Sequence, residues 1–490
     1  MSPSVEPFNE AKYKALMDGL ECCEIQFTQA FGANQEKRWD SEYYKKVFLQ
    51  NEKRLRTNHT KPFYELCHFV RKGIFDLSPE FYQETGVPFI RTSEIKNPTV
   101  NWATTVFLDN TINNQNRATV LNPGDLVFTK IGAYIGDVAL LPKKYAQYNF
   151  SQNVAGASLK DKKQGAVLLS FFLTKTGRLQ ILRSSMLSGQ GKLELNDIRN
   201  YRIPIFGKVF CDALCEYFEN IEETEASASA KYARAEILIN RTLSNDGAPQ
   251  SNISIKELSA SFGQTGRLDA EYYQPKYDEL MKNLLKHGCK NLGGEEGLVD
   301  IKKSIEPGSD AYQDEGIPFV RISNLTKFGL DEPDIKVAED IVQEVRKLYP
   351  KRDTILFSKD GSVGIAYKME EDKQIITSGG ILHLTVKNMD EILPDYLTLV
   401  LNSPIVQLQA ERDAGGSIIQ HWKPSEIEQV VIPVFPMPQQ KELSDLVQES
   451  FMLRRKSEKL LDNAVKAVEM AIETDESTAL AWLKTQQIGE

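Results

Sequence analysis

The chain repeats itself, and this internal repeat constrains its fold more than any other feature. The segment GVPFIRTSEI at 86–95 returns as GIPFVRISNL at 316–325, and a β-prone segment ending in Lys130 returns with Lys359 in the same place. Both copies later reach an Ile-Pro pair, at 203–204 and 432–433. Because the blocks keep one order and one offset of 229 or 230 residues, the sequence predicts a tandem duplication of two folding units and not an array of short repeats.

The same motif opens each copy. It reads Arg-Trp-Asp-Ser-Glu-Tyr-Tyr at 38–44 and Arg-Leu-Asp-Ala-Glu-Tyr-Tyr at 267–273. We interpret it as the element that sets each domain on the long helices of a spacer. Its adjacent tyrosines favour core packing over base stacking.

Each copy ends in a stretch with the periodicity of a long helix. The segment 208–243 contains no Gly or Pro, and mostly apolar or small residues recur at every seventh position, as a narrow coiled-coil seam requires. The first row is Phe210, Tyr217, Thr224, Lys231 and Leu238, and the second is Leu214, Ile221, Ala228, Ala235 and Thr242. The second copy has Leu446, Leu453, Leu460 and Ala467 in the same spacing. We expect two helices, the first roughly 50 Å long, to pack antiparallel as a spacer.

These patterns predict an α+β fold with two tandem-repeated domains, separated by two long antiparallel helices. The predicted divisions are an N-terminal helical segment at 1–30, a first domain at 31–206, a central helix at 207–243, a second domain at 244–436, and a C-terminal helix and tail at 437–490. Strand candidates in the first domain are Pro88–Ile90, Asp125–Thr129 and Asp137–Leu141. The N-terminal segment has apolar residues at helical spacing, namely Leu16, Leu20, Cys23 and Phe27.

Composition excludes several classes of protein. A chain of 490 residues with 41% hydrophobic and 26% charged residues is typical of two or three soluble domains. No apolar run is long enough to span a bilayer, and the first residues lack the pattern of a secretory signal. The six cysteines form no C-x-x-C pair, and the five histidines form no H-E-x-x-H motif. We expect a cytoplasmic protein with reduced structural thiols, no metal site and no membrane contact.

The sequence carries no legible catalytic site. It has neither a P-loop nor a G-x-G-x-x-G motif after a strand. The tetrapeptide Asn-Ser-Pro-Ile at 402–405 approaches the motif that holds an amino group for methyl transfer, but it lacks the second proline and the aromatic residue that stacks on the base. No carboxylate constellation repeats in both copies, so we predict a non-catalytic chain.

Basic residues on glycine-flanked loops do repeat. Arginine and lysine in such loops can meet phosphates and the O6 and N7 atoms of guanine. The candidate DNA-binding residues are Arg91, Lys96, Lys130 and Lys192 in the first copy, and Arg321, Lys327, Lys359 and Lys423 in the second. A structural role remains open: the two arginines could pair inside the fold with the glutamate of the opening motif, and Lys130 and Lys359 could be structural.

The net charge of −9 counts mildly against unaided binding to duplex DNA, because such proteins usually have a basic excess. A local basic surface, or partner chains that supply much of the phosphate contact, would reconcile the acidic net charge with DNA binding.

The second copy is similar to the target recognition domains of type I restriction-modification specificity subunits. The similarity lies in Arg-Leu-Asp-Ala-Glu-Tyr-Tyr (267–273), Gly-Ile-Pro-Phe-Val-Arg-Ile-Ser (316–323), Asp-Thr-Ile-Leu-Phe-Ser-Lys-Asp-Gly-Ser-Val-Gly (353–364), Gly-Ser-Ile-Ile-Gln (416–420) and Ile-Pro-Val-Phe-Pro-Met-Pro-Gln-Gln-Lys-Glu-Leu (432–443). With the duplication, the resemblance extends from about 31 to 473. The first copy departs from it, since 204–210 lacks the Pro-x-x-x-Gln start of the following helix.

The resemblance implies a function. Each domain would read one half of a bipartite, asymmetric site in double-stranded DNA, and the helices would set the gap between the halves. Two methyltransferase subunits, using S-adenosylmethionine, and two motor-nuclease subunits, using ATP and Mg²⁺, would assemble on the chain, which needs no cofactor of its own. The resemblance also implies a pseudo-two-fold arrangement, in which the N-terminal segment packs against the C-terminal one.

Alternatives remain open at this point. The chain could be the specificity subunit of a type IIB or type IIG-like system, in which one partner fuses methylase and nuclease. A stand-alone nuclease or methyltransferase and a structural scaffold without DNA recognition are two further classes.

Overall fold

A computed structural model describes residues 9–17, 24–28, 40–102, 104–132, 134–185, 191–243, 253–259, 261–341, 345–415 and 420–488. Parts of the sequence predictions fall outside these ranges, namely Leu20 and Cys23 of the N-terminal segment, Arg38 and Trp39 of the first opening motif, and 416–419 of the second copy. None of the described helices is long and apolar enough to cross a membrane.

In each copy most strands come first along the chain and most helices follow them. The helices are α1 Glu10–Met17, α2 Lys46–Thr57, α3 Asn110–Gln115, α4 Gly165–Leu173, α5 Lys175–Ser185, α6 Leu195–Asn200, α7 Lys208–Leu243, α8 Phe262–Thr265, α9 Pro275–Leu284, α10 Pro394–Leu401, α11 Pro404–Asp413, α12 Pro424–Glu428, α13 Met437–Glu473 and α14 Glu476–Ile488. We call α7 the central helix and α13 the C-terminal helix. The fold is α+β, as the sequence predicts.

The strands of the first copy are β1 Thr60–Pro62, β2 Cys67–Lys72, β3 Val87–Ile90, β4 Ile95–Lys96, β5 Thr99–Val100, β6 Val106–Leu108, β7 Leu126–Thr129, β8 Val138–Leu140, β9 Asn149–Phe150, β10 Val154–Leu159 and β11 Arg202–Pro204. Those of the second are β12 Cys289–Asn291, β13 Val299–Lys303, β14 Tyr312–Gln313, β15 Ile317–Val320, β16 Leu325–Thr326, β17 Gly329–Leu330, β18 Lys336–Val337, β19 Ile355–Ser358, β20 Ala366–Lys368, β21 Ile376–Thr377, β22 Ile381–Val386 and β23 Val431–Pro433. The three strand candidates of the first domain are confirmed as β3, β7 and β8.

The chain divides into two compact units. Unit 1 contains residues 1–223 and 456–490, and unit 2 contains residues 224–455. Both long helices therefore contribute one part to each unit.

The two units have the same sheet topology. A four-stranded antiparallel sheet has the order β2-β10-β7-β8 in unit 1 and β13-β22-β19-β20 in unit 2. A parallel pair, β3 with β9 or β15 with β21, lies in a second sheet of each unit. This shared topology confirms the duplication.

The core of each unit forms where the four-stranded sheet meets helices that are apolar on all sides. Every residue of β10 is buried, and so are the first eight residues of α4. A helix that is hydrophobic all round must lie in a protein interior. In unit 1 this core contains side chains of β2 and β7, the two strands from which the loops near Lys72 and Lys130 extend.

The central helix follows the predicted seam only in part. The row that begins at Phe210 is buried through Tyr217 and Thr224, and then the buried positions move by one residue to Tyr232 and Ile239. The prediction that Lys231 lies in the seam is wrong, because its side chain is 42% exposed. An α-helix has 3.6 residues per turn, so a strict seven-residue row drifts around the axis.

In unit 2 the two long helices are antiparallel, as the sequence predicts. Ser450 Oγ donates to the Ala228 carbonyl oxygen at 2.7 Å, and Lys231 pairs with Glu449 at 2.5 Å. As residue numbers rise along the central helix, those of the partner residues on the C-terminal helix fall.

In unit 2 the opening motif docks on a short helix of its own domain. The guanidinium of Arg267 bonds both oxygens of Asp269 and lies over the ring of Tyr272 at 4.4 Å. The guanidinium of Arg412, on α11, lies 5.4 Å from the centre of the same ring. The prediction that the motif seats the domain on the long helices is wrong here, because these contacts are to α11. The ring pair Tyr272–Tyr273 packs edge to face with both residues half-buried, as expected for packing.

Of the N-terminal segment, Glu10–Met17 is helical. Its predicted apolar face is not buried at two described positions, since Leu16 is 66% exposed and Phe27 is 64% exposed.

Candidate nucleic-acid interface

Two of the four candidate residues of unit 1, Lys130 and Lys192, lie together just after β7. Lys130 follows β7 directly, and its backbone N–H donates to the Asn153 carbonyl oxygen at 3.0 Å. The Lys130 carbonyl oxygen accepts from the N–H of Leu193 at 2.9 Å, which brings Lys192 and Glu194 beside it. The backbone therefore fixes two of the sequence-predicted lysines in one place.

Lys130 is a buried cation with like-charged neighbours. Its residue is only 6% exposed, and among the described residues its ammonium has no ion pair. Burial lowers the pKa of Lys130, and nearby Lys192 and Lys72 lower it further against the opposing effect of Glu194. Glu194 is itself paired with Lys192 at 2.7 Å. The structure therefore holds Lys130 where an external acceptor or anion would relieve its electrostatic cost.

Large apolar side chains stand exposed around these lysines. Phe75 is 68% exposed and lies 5.3 Å from the ammonium of Lys72. Tyr134 is 47% exposed, and the ammonium of Lys96 lies over its ring at 3.8 Å. Exposed aromatic residues beside cations are typical of surfaces that bind a partner. Sequence reasoning found Lys96 but missed Lys72 and both rings.

Arg91 has a structural partner. Its guanidinium makes a bidentate contact with Glu94, at 3.1 and 2.7 Å, and also donates to the Thr104 carbonyl oxygen at 3.0 Å. The Glu94 side chain is fully buried. The expected internal pair therefore exists, but its carboxylate comes from the turn that follows β3 and not from the opening motif.

In unit 2 the same backbone pattern surrounds Lys359. Its N–H donates to the Gly380 carbonyl oxygen at 2.9 Å, and its carbonyl oxygen accepts from Trp422 N–H at 2.8 Å. Unlike Lys130, Lys359 is paired with a carboxylate, that of Asp360. Asp360 also accepts from Nδ1 of His421 at 2.8 Å, and the His421 side chain is 64% exposed. Neither Asp360 nor His421 was predicted from the sequence.

The remaining candidates of unit 2 are less closely grouped. Arg321 pairs with Asp334 at 2.8 Å, and this carboxylate is 71% exposed. Lys423, the most exposed candidate, is 3.4 Å from Glu426. Lys327 pairs with Glu236 of the central helix at 2.9 Å and lies 4.8 Å from the ring of Tyr232. Lys327 thus holds the β16–β17 hairpin against the central helix, and the ion pair with Glu236 occupies its ammonium group.

Two features that resemble catalytic sites have structural explanations. Asn402 of the Asn-Ser-Pro-Ile segment exchanges two hydrogen bonds with the backbone of Ala366, at 3.0 and 2.7 Å, so its amide is used inside the fold. A polar cavity of about 300 Å³ in unit 1 contains Glu52. Burial would raise the pKa of Glu52, but hydrogen bonds from Arg183 and Arg56 lower it, as suits an ion-pair partner. Within the described residues, no cluster of His, Cys, Asp and Glu is arranged to hold a metal ion.

The described cysteines are all free thiols, and two of them lie in the core. Cys67 and Cys211 are buried, and burial raises the pKa of each thiol to about 12. Such thiols remain protonated and unreactive.

A family model connects both copies to known proteins. The model of the type I restriction modification DNA specificity domain matches residues 57–205 and 296–459, which together are more than half of the chain. A comparison with curated protein sequences finds no match.

Solved structures of similar chains are remote. An S subunit of a type I restriction-modification system from M. genitalium is 13% identical, with a TM-score of 0.37, over 86% of this chain and 95% of that one. An HsdS subunit from Thermoanaerobacter tengcongensis is 15% identical, with a TM-score of 0.27, over 85% and 97%. A chain from a structure of complex assembly and conformational transition in a type I system is 15% identical, with a TM-score of 0.29, over 85% and 98%. The family assignment rests on the family model and not on these likenesses.

Proposed function

Because the chain belongs to the family of the type I restriction modification DNA specificity domain, we propose that it is the DNA sequence-recognition subunit of a type I restriction-modification complex. The observation that carries this proposal is the double match of the family model, one to each copy of the repeated domain. Two different recognition domains in one chain suit a target with two different halves. The target would therefore be bipartite and asymmetric.

The proposed role is recognition and assembly without catalysis. Two methyltransferase subunits, which use S-adenosylmethionine, would methylate adenine in each half-site. Two motor-nuclease subunits, which use ATP and Mg²⁺, would cut unmodified DNA. The complex would act in the cytoplasm, and partner chains would share the phosphate contacts that dominate affinity for DNA.

The surface at the strand ends supports DNA as the ligand. In unit 1 it combines Lys72, Lys130 and Lys192 with the exposed ring of Phe75. Lysines can contact phosphates and guanine, and apolar groups can contact the methyl group of thymine. The sequence-predicted contacts other than Arg91, Lys327 and Lys359 stay in the proposal. Those three are engaged within their own units.

The test is to produce the chain with its methyltransferase subunit in a host that lacks adenine methylation, and to sequence the methylated bases of the genome. We expect one asymmetric motif of two specified halves around an unspecified gap, methylated on adenine. The chain alone and the methyltransferase alone serve as controls and should leave the genome unmodified. Methylation by the chain alone, or no sequence-specific methylation by the pair, would reject the proposal.

Copurification of the native partners distinguishes the closest alternative. A type I complex contains separate methyltransferase and motor-nuclease chains. A single partner that carries both methylase and nuclease would identify a type IIB or IIG-like system.

A further inference from the structure

Backbone register places the strand-end residues of the two copies in one-to-one correspondence. Lys72 lies opposite Ala155 on β10, and Lys303 lies opposite Leu382 on β22. Ile74 bridges to Ser151 in parallel, and Ile305 bridges likewise to Ser378. Lys130 and Lys359 each end the central strand that pairs with β10 or β22.

Six pairs of equivalent positions result: two near the end of β2 or β13, two at the lysine that follows β7 or β19, and two in the segment that bonds to that lysine. Loop cluster 1 comprises Lys72, Phe75, Lys130, Ile131, Lys192 and Glu194. Loop cluster 2 comprises, in the same order, Lys303, Glu306, Lys359, Asp360, His421 and Lys423. The last two equivalences follow because Leu193 and Trp422 donate the same backbone hydrogen bond to Lys130 and Lys359.

The two clusters differ at four of these positions, and two of the four lie beside the lysine that follows the central strand. In loop cluster 1 the buried lysine is followed by Ile131, which is 37% exposed, and faces Lys192. In loop cluster 2 the lysine is followed by Asp360, which neutralises it and orients His421. The first cluster therefore offers lysine donors beside an aliphatic group. The second offers an exposed imidazole held by a carboxylate.

We propose that these two positions, Ile131 with Lys192 and Asp360 with His421, are specificity-determining and make the two half-sites different. This inference rests on the proposed function, and it assigns the residues that recognise the bases. His421 would touch the base, and Asp360 would act as a positioning residue. Lys130, with Lys192, would be the donor of the first domain, whereas Lys359 holds Asp360 and does not itself reach the base.

Hydrogen-bond chemistry determines which base each cluster favours. A carboxylate only accepts, so Nδ1 of His421 must carry the proton that Asp360 receives. In the neutral imidazole, Nε2 is then an acceptor, which suits the exocyclic amino group of adenine or cytosine in the major groove. Lysine ammonium groups suit the O6 and N7 acceptors of guanine, and an aliphatic side chain suits the thymine methyl group. We therefore expect guanine or thymine at the position read by loop cluster 1 and adenine or cytosine at that read by loop cluster 2.

The experiment exchanges the two pairs and determines the methylated motif by sequencing, with the methyltransferase subunit present. D360I/H421K gives unit 2 the residues of unit 1, and I131D/K192H does the reverse. Each exchange should alter the motif in one half only, and methylation at the original sites should fall on the order of tenfold or more. The unaltered half is an internal control for folding and assembly.

A matched control lies at the opposite end of the same strand. Lys351 and Asp372 form another exposed Lys–Asp pair, at 3.0 Å, before β19 begins. K351Q/D372N should leave the motif unchanged. H421A adds a variant at a residue that is largely outside the core, and it should relax discrimination at one base pair.

The outcomes separate this inference from the proposed function. If the wild-type pair yields no motif, the proposed function fails. If the wild-type motif appears and persists unchanged in both exchanges and in H421A, the proposed function stands and the assignment of these readers is wrong. A change that reaches both halves, or that K351Q/D372N reproduces, would also overturn it.

Discussion

Arg91 and Arg321 occupy the same position in the two copies but have different neighbours. Each arginine's backbone N–H donates to the side chain three residues on, which is Glu94 in one copy and Asn324 in the other. Replacing a carboxylate by an amide leaves Arg321 without a charged partner there, and it pairs instead with the exposed Asp334. One arginine is thus committed to the fold, and the other is available at the surface.

We expect Arg91→Ala to destabilise unit 1 by about 3–5 kcal/mol, because it leaves the buried Glu94 carboxylate without its cation. Arg321→Ala should cost no more than about 1 kcal/mol, since its ion pair is exposed. Chemical denaturation of both variants measures the difference. Equal stabilities would show that the Glu94 pair contributes little.

A DNA-binding assay on R321A should show weaker binding to the second half-site.

His383 shows how a single position adapts to the second copy. It lies on the central strand β22, and its ring bonds the hydroxyl group of Thr377 at 2.8 Å. The register places Gly156 and Phe150 at the equivalent positions of unit 1, where a Cβ on Gly156 would come within 2.3 Å of the Phe150 ring. In unit 1 the Phe150 ring packs against Gly156, whereas in unit 2 His383 hydrogen-bonds Thr377. Both members of the pair therefore differ between the copies.

Acid should destabilise unit 2 through His383. Burial lowers its pKa from 6.5 to about 4, and nearby Lys302 adds to the effect. The folded pKa lies below that of the unfolded chain, so the stability present above pH 6.5 is lost as the pH falls toward 4. At pH 5, which lies about 1.5 units below the unfolded pKa, the loss should be about 2 kcal/mol. Denaturation at pH 7.5 and pH 5 measures it.

The variant His383→Gln keeps an acceptor for Thr377 but does not titrate. It should show a smaller difference in stability between the two pH values than the wild type. His68→Gln, at an exposed position, is the matched control and should behave as wild type. If H383Q retained the full acid sensitivity, other groups would be responsible.

The residue scale also shows where sequence reasoning ends. Repetition of Lys130 and Lys359 could be predicted, because each follows a hydrophobic strand and precedes a glycine-containing turn. The positions of Lys72 and His421 could not be predicted. The register of β2 against β10 places Lys72, and the backbone hydrogen bond from Trp422 to Lys359 places His421. The sequence suggested the glutamate of the opening motif as the partner of Arg91. The partner is instead Glu94, because the turn that follows β3 places this carboxylate beside the guanidinium.

At the scale of elements, a buried ionic network joins the sheet of unit 2 to the C-terminal helix. Lys368, at the end of β20, lies 3.2 Å from Asp395 and 3.1 Å from Glu370. The helix contributes Gln448 to Asp395 at 2.7 Å and Arg455 to Glu370 at 2.9 Å. Burial raises the pKa of Asp395, and Lys368 opposes that effect.

Removing the lysine alone should be costly. Lys368→Ala leaves the Asp395 side chain, which is 9% exposed, without a cation, so we expect a loss of about 3–5 kcal/mol in the free energy of unfolding. The double variant K368M/D395L removes both charges and should recover most of that loss, because it replaces the pair with apolar groups. A single variant as stable as the double one would contradict this account.

The helices illustrate what periodicity can and cannot predict. Their existence and approximate length follow from the seven-residue spacing. The change of the buried row from Lys231 to Tyr232 does not, because it depends on the drift of a straight helix and on Phe328, whose ring packs against Tyr232 at 5.0 Å. Contacts from outside the helix decide which of two adjacent rows is buried.

At the scale of the whole molecule, the net charge of −9 coexists with local basic clusters. Loop cluster 1 has three lysines and one glutamate, so its positive charge is concentrated at the strand ends of unit 1. Charge summed over a chain therefore says little about the sign of one surface. The acidic remainder is compatible with partners that supply further phosphate contacts.

The gap between the half-sites should depend on the length of the two long helices. Both long helices cross the division between the units, at Glu223/Thr224 and at Arg455/Lys456. Inserting seven residues at both places keeps the seven-residue seam and lengthens each helix by about 10 Å. Since base pairs are about 3.4 Å apart, the unspecified gap of the methylated motif should grow by about three base pairs while both halves stay the same. Insertion in the central helix alone should instead reduce methylation at every site, because only one of two paired helices is lengthened. An unchanged gap in the double insertion would show that the helices do not set the spacing.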